Sequence, residues 1–359
     1  MRILQISSAR SIGGGERHVI DLSNQLARRG HNVFVAVVPR SPLRDELRDV
    51  PVENIVEVPL RNALDVPSAL KLAQFIRENN VEMVNVHFAK DYPVAAIAAR
   101  HAGVPFVITR HVLFPMSRLH RLVLSRVKYA IAPSNAAAES LLRQQIFPPE
   151  KIVTIRYGLD VDKFPERGPI SREEFCIGSI GNLDPVKGFD VLIRAAAIVA
   201  KVKPEAKFTI VGEDRSRDKR NERELRDLIE ELNLTETVEL AGWSNNVADL
   251  LTGFDILVSA SRSESFGFVI AEAMLTGVPV IATETEGAKE IISDPTHGKL
   301  VPIESPEAIA DAILQLIGDD GQRAQIAASG RDYVHESFSL VRMVNQTEEL
   351  YRLAIAAPI

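Results

Sequence analysis

The sequence predicts an α/β protein of two doubly wound domains, each a parallel sheet with helices on both faces. Short, β-branched apolar runs alternate with longer segments of helical period along the whole chain, the pattern of strands joined by crossover helices. The alternation lapses once, over 157–170, where two Pro and two Gly interrupt it, and then restarts. At 359 residues the chain is long enough for two cores.

In the first half the expected strands are 2–6, 32–38, 83–86, 106–109, 130–133 and 152–156. Between the first two, residues 16–29 place Val19, Ile20, Leu22 and Leu26 near one face, and Gly30 supplies a stop, so this stretch is an amphipathic crossover helix. The second half repeats the scheme, with strands at 174–180, 207–211, 238–240, 256–260, 278–282 and 299–301 and helices that include 186–202 and 222–232. From residue 305 onward the chain reads as helical, with breaks near 318–321, 330 and 337–339. Domains are therefore expected at 1–165 and 166–338, with the last helix, about 339–359, crossing back to the first.

Composition excludes several classes. The single cysteine, Cys176, rules out a disulfide scaffold or a cysteine metal cluster and suits a reducing compartment. The longest stretch free of Asp, Glu, Lys and Arg is 273–283, eleven residues. A spanning helix needs about 18. The first apolar run is too short for a secretory signal, so a cytoplasmic location is expected. Charge is divided unevenly: residues 1–165 carry 22 Lys+Arg against 15 Asp+Glu, and 166–359 carry 20 against 33, so the total of −6 joins a +7 half to a −13 half. Within the basic half, 92–138 hold no acid but do hold Arg100, Arg110, Arg118, Arg121, Arg126 and Lys128.

The most informative segment follows the strand at 256–260 and runs Ser263-Glu264-Ser265-Phe266-Gly267-Phe268-Val269-Ile270-Ala271-Glu272-Ala273-Met274. A helix beginning near Phe266 would present its positive end to an anion, and Gly267 would let a phosphate approach the backbone. Glu264 and Glu272 differ by about 80° beyond two full helical turns, so they would not share a face and serve different groups. A carboxylate can accept from two adjacent hydroxyls, which suits a ribose diol at Glu272 and sugar hydroxyls at Glu264. A second phosphate candidate is Gly181-Asn182-Leu183-Asp184-Pro185-Val186-Lys187-Gly188, a strand end and turn that bring the Lys187 charge to a helix start. Near the N-terminus, Gly13-Gly14-Gly15 joins strand to helix and permits close approach. It fails the dinucleotide fingerprint, because His18 stands where the third glycine would be. His111 and His87 follow strands at the sheet edge where open α/β sheets bind ligands, and a neutral imidazole there can both donate and accept. The remaining histidines, His18 included, show no metal-ligand spacing.

The segment from Ser263, continued by Thr276-Gly277-Val278-Pro279-Val280-Ile281-Ala282-Thr283 and Glu286-Gly287-Ala288-Lys289-Glu290, resembles the signature of the retaining GT-B glycosyltransferases of family 4 (group 1). The resemblance covers nearly the whole chain. It implies two Rossmann-like domains facing each other across a cleft, and a hexosyltransferase-like enzyme that moves a sugar from a nucleotide-sugar to an acceptor hydroxyl. It makes Glu264 and Glu272 the two acids of an E-x7-E motif, at the donor sugar and the ribose, and Lys187 a donor-diphosphate lysine. Asn182 stands where the group usually has Arg, removing one cation from the diphosphate clamp unless Arg262 or Arg17 compensates.

By the same resemblance, His111 touches the donor sugar, and Glu264, His111 and Lys187 are the catalytic set. Donor contacts extend to Gly14, Gly15, Asn182, Gly212, Gly242, Trp243, Ser265, Phe266, Gly267, Phe268 and Glu272, with Arg17 and His87 on the acceptor side. Asp160-Val161-Asp162 fits the group's hinge segment and not a metal site, although Tyr157 replaces its usual Asn. Neither a cofactor nor a metal is expected, and no nucleic acid. The acceptor is a saccharide or lipid-linked molecule of polysaccharide, lipopolysaccharide or glycolipid synthesis. Residues 110–128 mix cations with apolar side chains at near-helical spacing and are expected to meet an anionic membrane, with Arg118, Arg121 and Arg126 at the head groups and Leu119, Leu122 and Val123 packed inward or in part dipping into the interface, making the enzyme peripheral on the inner leaflet. Two other readings share the architecture: a nucleotide-sugar epimerase or phosphorylase, and a nonenzymatic two-lobed sugar-binding protein.

Overall fold

The computed structural model describes residues 1–117, 120–168, 174–244 and 246–358. They form two compact units, Met1–Gly158 with Leu340–Ile359, and Leu159–Ser339. The chain leaves the first unit at Gly158, ahead of the expected junction at 165/166, and the terminal helix Leu340–Ala356 belongs to the first unit.

The first unit holds strands β1 (Arg2–Ser7), β2 (Asn32–Val37), β3 (Ile55–Glu57), β4 (Met83–Val86), β5 (Phe106–Thr109), β6 (Ala130–Ala132) and β7 (Ile152–Thr154), in the order β3-β2-β1-β4-β5-β6-β7. Every pairing is parallel. Side chains alternate between two cores, as a sheet covered on both faces requires. Leu4 and Ile6 pack with Leu72, Ile76 and Ala95 on one side. On the other, Ile3 packs with Val19, Leu22 and Leu26 of the helix Gly14–Arg28 and with Leu350 and Tyr351 of the terminal helix. The edge strand β3 is additional to the expected ones, because three residues after Pro51 and a 3-10 turn carry no readable alternation.

In the second unit, β8 (Phe175–Ile180), β9 (Ala206–Val211), β10 (Val238–Gly242), β11 (Ile256–Ser259), β12 (Val280–Thr283) and β13 (Lys299–Val301) pair in parallel in the order β10-β9-β8-β11-β12-β13. The expected helix break at Gly330 is not one, since the helix Asp320–Ser337 runs through it. A side chain there would meet His297 O at 2.8 Å, so Gly330 serves close packing. In both sheets chain order reverses beside the first strand, between β1 and β4 and between β8 and β11, and ligands bind open α/β sheets at such switch points.

The basic segment departs from expectation. Among the described residues a single helical turn, His120–Val123, forms there, although the cations and apolar residues are at near-helical spacing. Leu122 is 79% exposed, Val123 packs against the core, and Lys128 is held by the carbonyls of Ala357 and Pro358. Arg118 and Leu119 lie outside the described residues. Arg110 is buried and donates to Phe114 O.

Candidate active site

At the β8/β11 switch point the second unit assembles the acids and the lysine. After β8 the chain turns through Asp184, whose carboxylate caps the 3-10 turn Pro185–Lys187 by accepting from Val186 N–H (3.0 Å). Gly188 follows with φ 65°, a left-handed conformation that favours glycine, and a Cβ there would lie 2.0 Å from Ala260 O. That close approach lets the loop after β8 lie against the loop after β11, and Arg262 N–H donates to Val186 O (2.7 Å) across the two. The Lys187 stem folds back over Gly181, and its ammonium meets the Glu264 carboxylate at 2.6 Å. Both side chains are partly exposed, at 26% and 16%, so the pair is reachable from solvent.

Glu264 is held by its backbone, whose carbonyl accepts from Gly287 N–H (3.0 Å). The helix starts two residues later than expected, at Phe268, with Gly267 as a left-handed N-cap (φ 95°, ψ 56°). Glu264 therefore lies in the loop ahead of the helix, whereas Glu272 lies within it, 4% exposed. The Phe266 ring is core, packed on Phe268 and Phe338, so only its backbone can face a donor. Ser265 is half-buried.

Arg262 does not replace the cation missing at Asn182. Its guanidinium is bound by Asp190 (2.8 Å) and Glu304 and also donates to Pro185 O. Against the desolvation of its half-buried site, Arg262 holds the Asp190 carboxyl below its ordinary range. Asn182 is half-buried between Gly181, whose N–H donates to Val211 O, and Leu183, whose N–H donates to Glu213 O, so β8 and β9 fix its backbone.

Gly212 and Gly242 close the ends of β9 and β10 and are joined by Gly212 N–H to Gly242 O (2.8 Å). The Trp243 ring is 53% exposed under the Arg215 guanidinium, 5.4 Å away. Asp214 follows Gly212 in the loop after β9, which the resemblance makes part of the base pocket's lining. Against the cost of desolvation, hydrogen bonds from Ser216 and the N–H of Glu222 hold its carboxyl at about 2 and fix this loop to the helix Arg220–Glu231.

At the β1/β4 switch point the first unit brings together side chains far apart in sequence. The glycine loop after β1 opens the helix Gly14–Arg28, and Glu16 reaches back to accept from Gly13 N–H (3.0 Å). Gly15 lies against the His111 ring, which a Cβ would meet at 3.0 Å. Arg17 is exposed and Gly14 half-buried. His87 and His111 are both buried and hydrogen-bond each other, Nδ1 to Nε2, at 3.1 Å. Gln5 Oε1 can only accept, so His87 carries its proton on Nε2 (2.8 Å) and takes the His111 Nε2–H on Nδ1. His111 Nδ1 then accepts from the Tyr157 hydroxyl (2.8 Å).

Both His111 nitrogens are thus engaged within the first unit, and a sugar hydroxyl reaches either one only by displacing His87 or Tyr157. Burial pushes His87 and His111 well below the usual imidazole range and pushes the Tyr157 hydroxyl up, so all three are neutral. His18, to which sequence reasoning assigns no role, joins them, its ring centroid 5.2 Å from that of His111. Burial lowers it to about 4. Also in the first unit, Asp91 accepts from Ser8 N–H (3.0 Å) and is raised by burial to about 6. In the linker, Asp160 pairs with Lys163 (3.4 Å) in a 3-10 turn.

Family comparison agrees with both halves. The model for glycosyltransferase family 4 matches residues 12–163, and that for glycosyl transferases group 1 matches 160–333. N-acetyl-alpha-D-glucosaminyl L-malate synthase of Bacillus anthracis is 27% identical over 373 residues, covering 95% of this chain and 94% of that protein. A glycosyltransferase crystal structure from Rickettsia africae superposes with a TM-score of 0.89 at 25% identity, covering 99% of each chain. HepE of Anabaena, solved with UDP and glucose, does so with 0.84 at 24% identity over 97% of this chain and 98% of its own. With matching family models on both halves and this shared two-domain architecture, the chain belongs to the family 4, group 1, glycosyltransferases of the GT-B fold.

Proposed function

We propose that this glycosyltransferase moves a hexose-type sugar from a nucleotide-sugar to an acceptor hydroxyl, with retention at the anomeric carbon and without a divalent ion. The Lys187–Glu264 pair, set at the sheet's switch point just ahead of the helix Phe268–Leu275, carries the reading. As the sugar–phosphate bond breaks, charge gathers on the leaving diphosphate. Lys187, the backbone near Gly267 and the helix's positive end are preorganised to stabilise it. Once the diphosphate takes Lys187, the Glu264 carboxylate is released to accept from sugar hydroxyls, while Glu272 accepts from the ribose. Retention follows if the acceptor attacks from the leaving-group side and the departing phosphate takes its proton, which asks for no protein nucleophile.

The relative from Bacillus anthracis, named for joining an N-acetylglucosaminyl group to malate, supports a small hydroxylated acceptor as one class to test. The test is transfer from a panel of nucleotide-sugars in excess EDTA, with the product anomer read by NMR. Transfer that persists with the donor's configuration supports the proposal. An inverted product, or complete loss restored by Mg²⁺ or Mn²⁺, contradicts it.

A lipid-linked acceptor at an anionic membrane is the second class, favoured by one patch of the first unit. Phe114 (77%) and Leu122 (79%) are exposed in the same segment as the exposed Arg121 and Arg126. No helix among the described residues is long and apolar enough to cross a membrane. The chain is expected to co-sediment with anionic but not neutral vesicles at low salt. Replacing Arg121 and Arg126 by Gln should weaken this by about 1 kcal/mol each. A wild-type chain that ignores anionic vesicles at low salt points to a soluble acceptor.

A further inference from the structure

We propose that His18, His87 and His111 form a zinc site in the first unit. One ring nitrogen of each lies within 4.8 Å of the others, and all three rings are buried. The sequence gives no hint of this, because the ligands come from the helix Gly14–Arg28 and from the ends of β4 and β5, which only the strand order brings together.

Three further observations point to a cation. His18 Nδ1 is buried with no hydrogen-bond partner among the described residues, a costly state that a metal bound by this ring would relieve directly or by letting the ring turn. The His87 Nδ1 to His111 Nε2 separation of 3.1 Å is close to the ~3.3 Å between two nitrogens bound tetrahedrally to one zinc at ~2.05 Å. The outward nitrogens already have the partners that zinc-bound histidines require. His87 Nε2 faces Gln5 Oε1 (2.8 Å) and His111 Nδ1 faces the Tyr157 hydroxyl (2.8 Å).

The His111 proton moves from Nε2 to Nδ1, where the Tyr157 hydroxyl turns to accept it. Three neutral imidazoles leave a fourth position for water. The Glu16 carboxylate, which acts electrostatically on Tyr157, places negative charge near the cluster.

The metal-stripped full-length chain is titrated with Zn²⁺ against a chromophoric zinc indicator, with Co²⁺ added in parallel for its visible spectrum. One zinc per chain and a tetrahedral cobalt spectrum are expected. Tyr157→Phe removes only an outer partner and should weaken binding by about 10–100-fold. His18→Gln should weaken it more, and Cys176→Ser should leave it unchanged. Circular dichroism monitors folding, and if His18→Gln does not fold, Tyr157→Phe decides the matter. Absence of stoichiometric uptake, equal affinity in wild type and Tyr157→Phe, or loss of uptake in Cys176→Ser overturns the site. Sugar transfer assayed in EDTA is read separately, so failure of the zinc site leaves the transferase reading standing.

Discussion

Lys187→Ala is expected to lower kcat by about 10²–10³-fold while the chain remains folded, the loss typical when one preorganised group that stabilises developing charge is removed. The lysine side chain is 26% exposed, so it contributes little to packing. The turn Pro185–Lys187 forms without help from the lysine side chain, because Asp184 caps it. What the substitution removes is therefore the charge. It also leaves Glu264 without its counterion. Steady-state kinetics decide the point, and a drop under about fivefold in Lys187→Ala would contradict the assignment, being far short of what such a group supplies.

Glu272→Ala is expected to weaken binding of the free nucleoside diphosphate by about 10–100-fold, the equivalent of ~1.5–3 kcal/mol for losing a charged hydrogen-bond acceptor. Glu272 lies inside the helix Phe268–Leu275 and is almost wholly buried, whereas Glu264 lies in the loop before it. On the proposed reading the two acids serve different parts of the donor, and Glu264→Ala should lower turnover more than nucleotide affinity. Calorimetry with the diphosphate checks this. Equal affinity in wild type and Glu272→Ala would remove the ribose assignment.

Much of the fold is legible because parallel strands covered on both faces read as near-continuous apolar runs, and β4 and β5, buried throughout, lie at the bounds expected for them. β3 escapes because a three-residue edge strand has too few side chains to show a pattern. The loop and helix that carry Glu264, Gly267 and Glu272 are legible because these residues fall in one continuous segment. The engagement of Arg262 is not, since Asp190 and Glu304 reach it from distant parts of the chain. The same holds for His18, His87, His111 and Tyr157, whose contacts span long sequence separations and follow only from the strand order. The basic segment misleads because near-helical spacing of Arg and Leu does not compel a helix, and among the described residues only His120–Val123 forms one turn.

The most direct test of the central claim is titration calorimetry of the wild-type and Lys187→Ala chains with a panel of nucleoside diphosphates in EDTA. The account predicts that one diphosphate binds at one per chain without a divalent ion, and that Lys187→Ala weakens it. Failure of every diphosphate to bind, binding only when Mg²⁺ is supplied, or equal binding by the two chains would contradict the account.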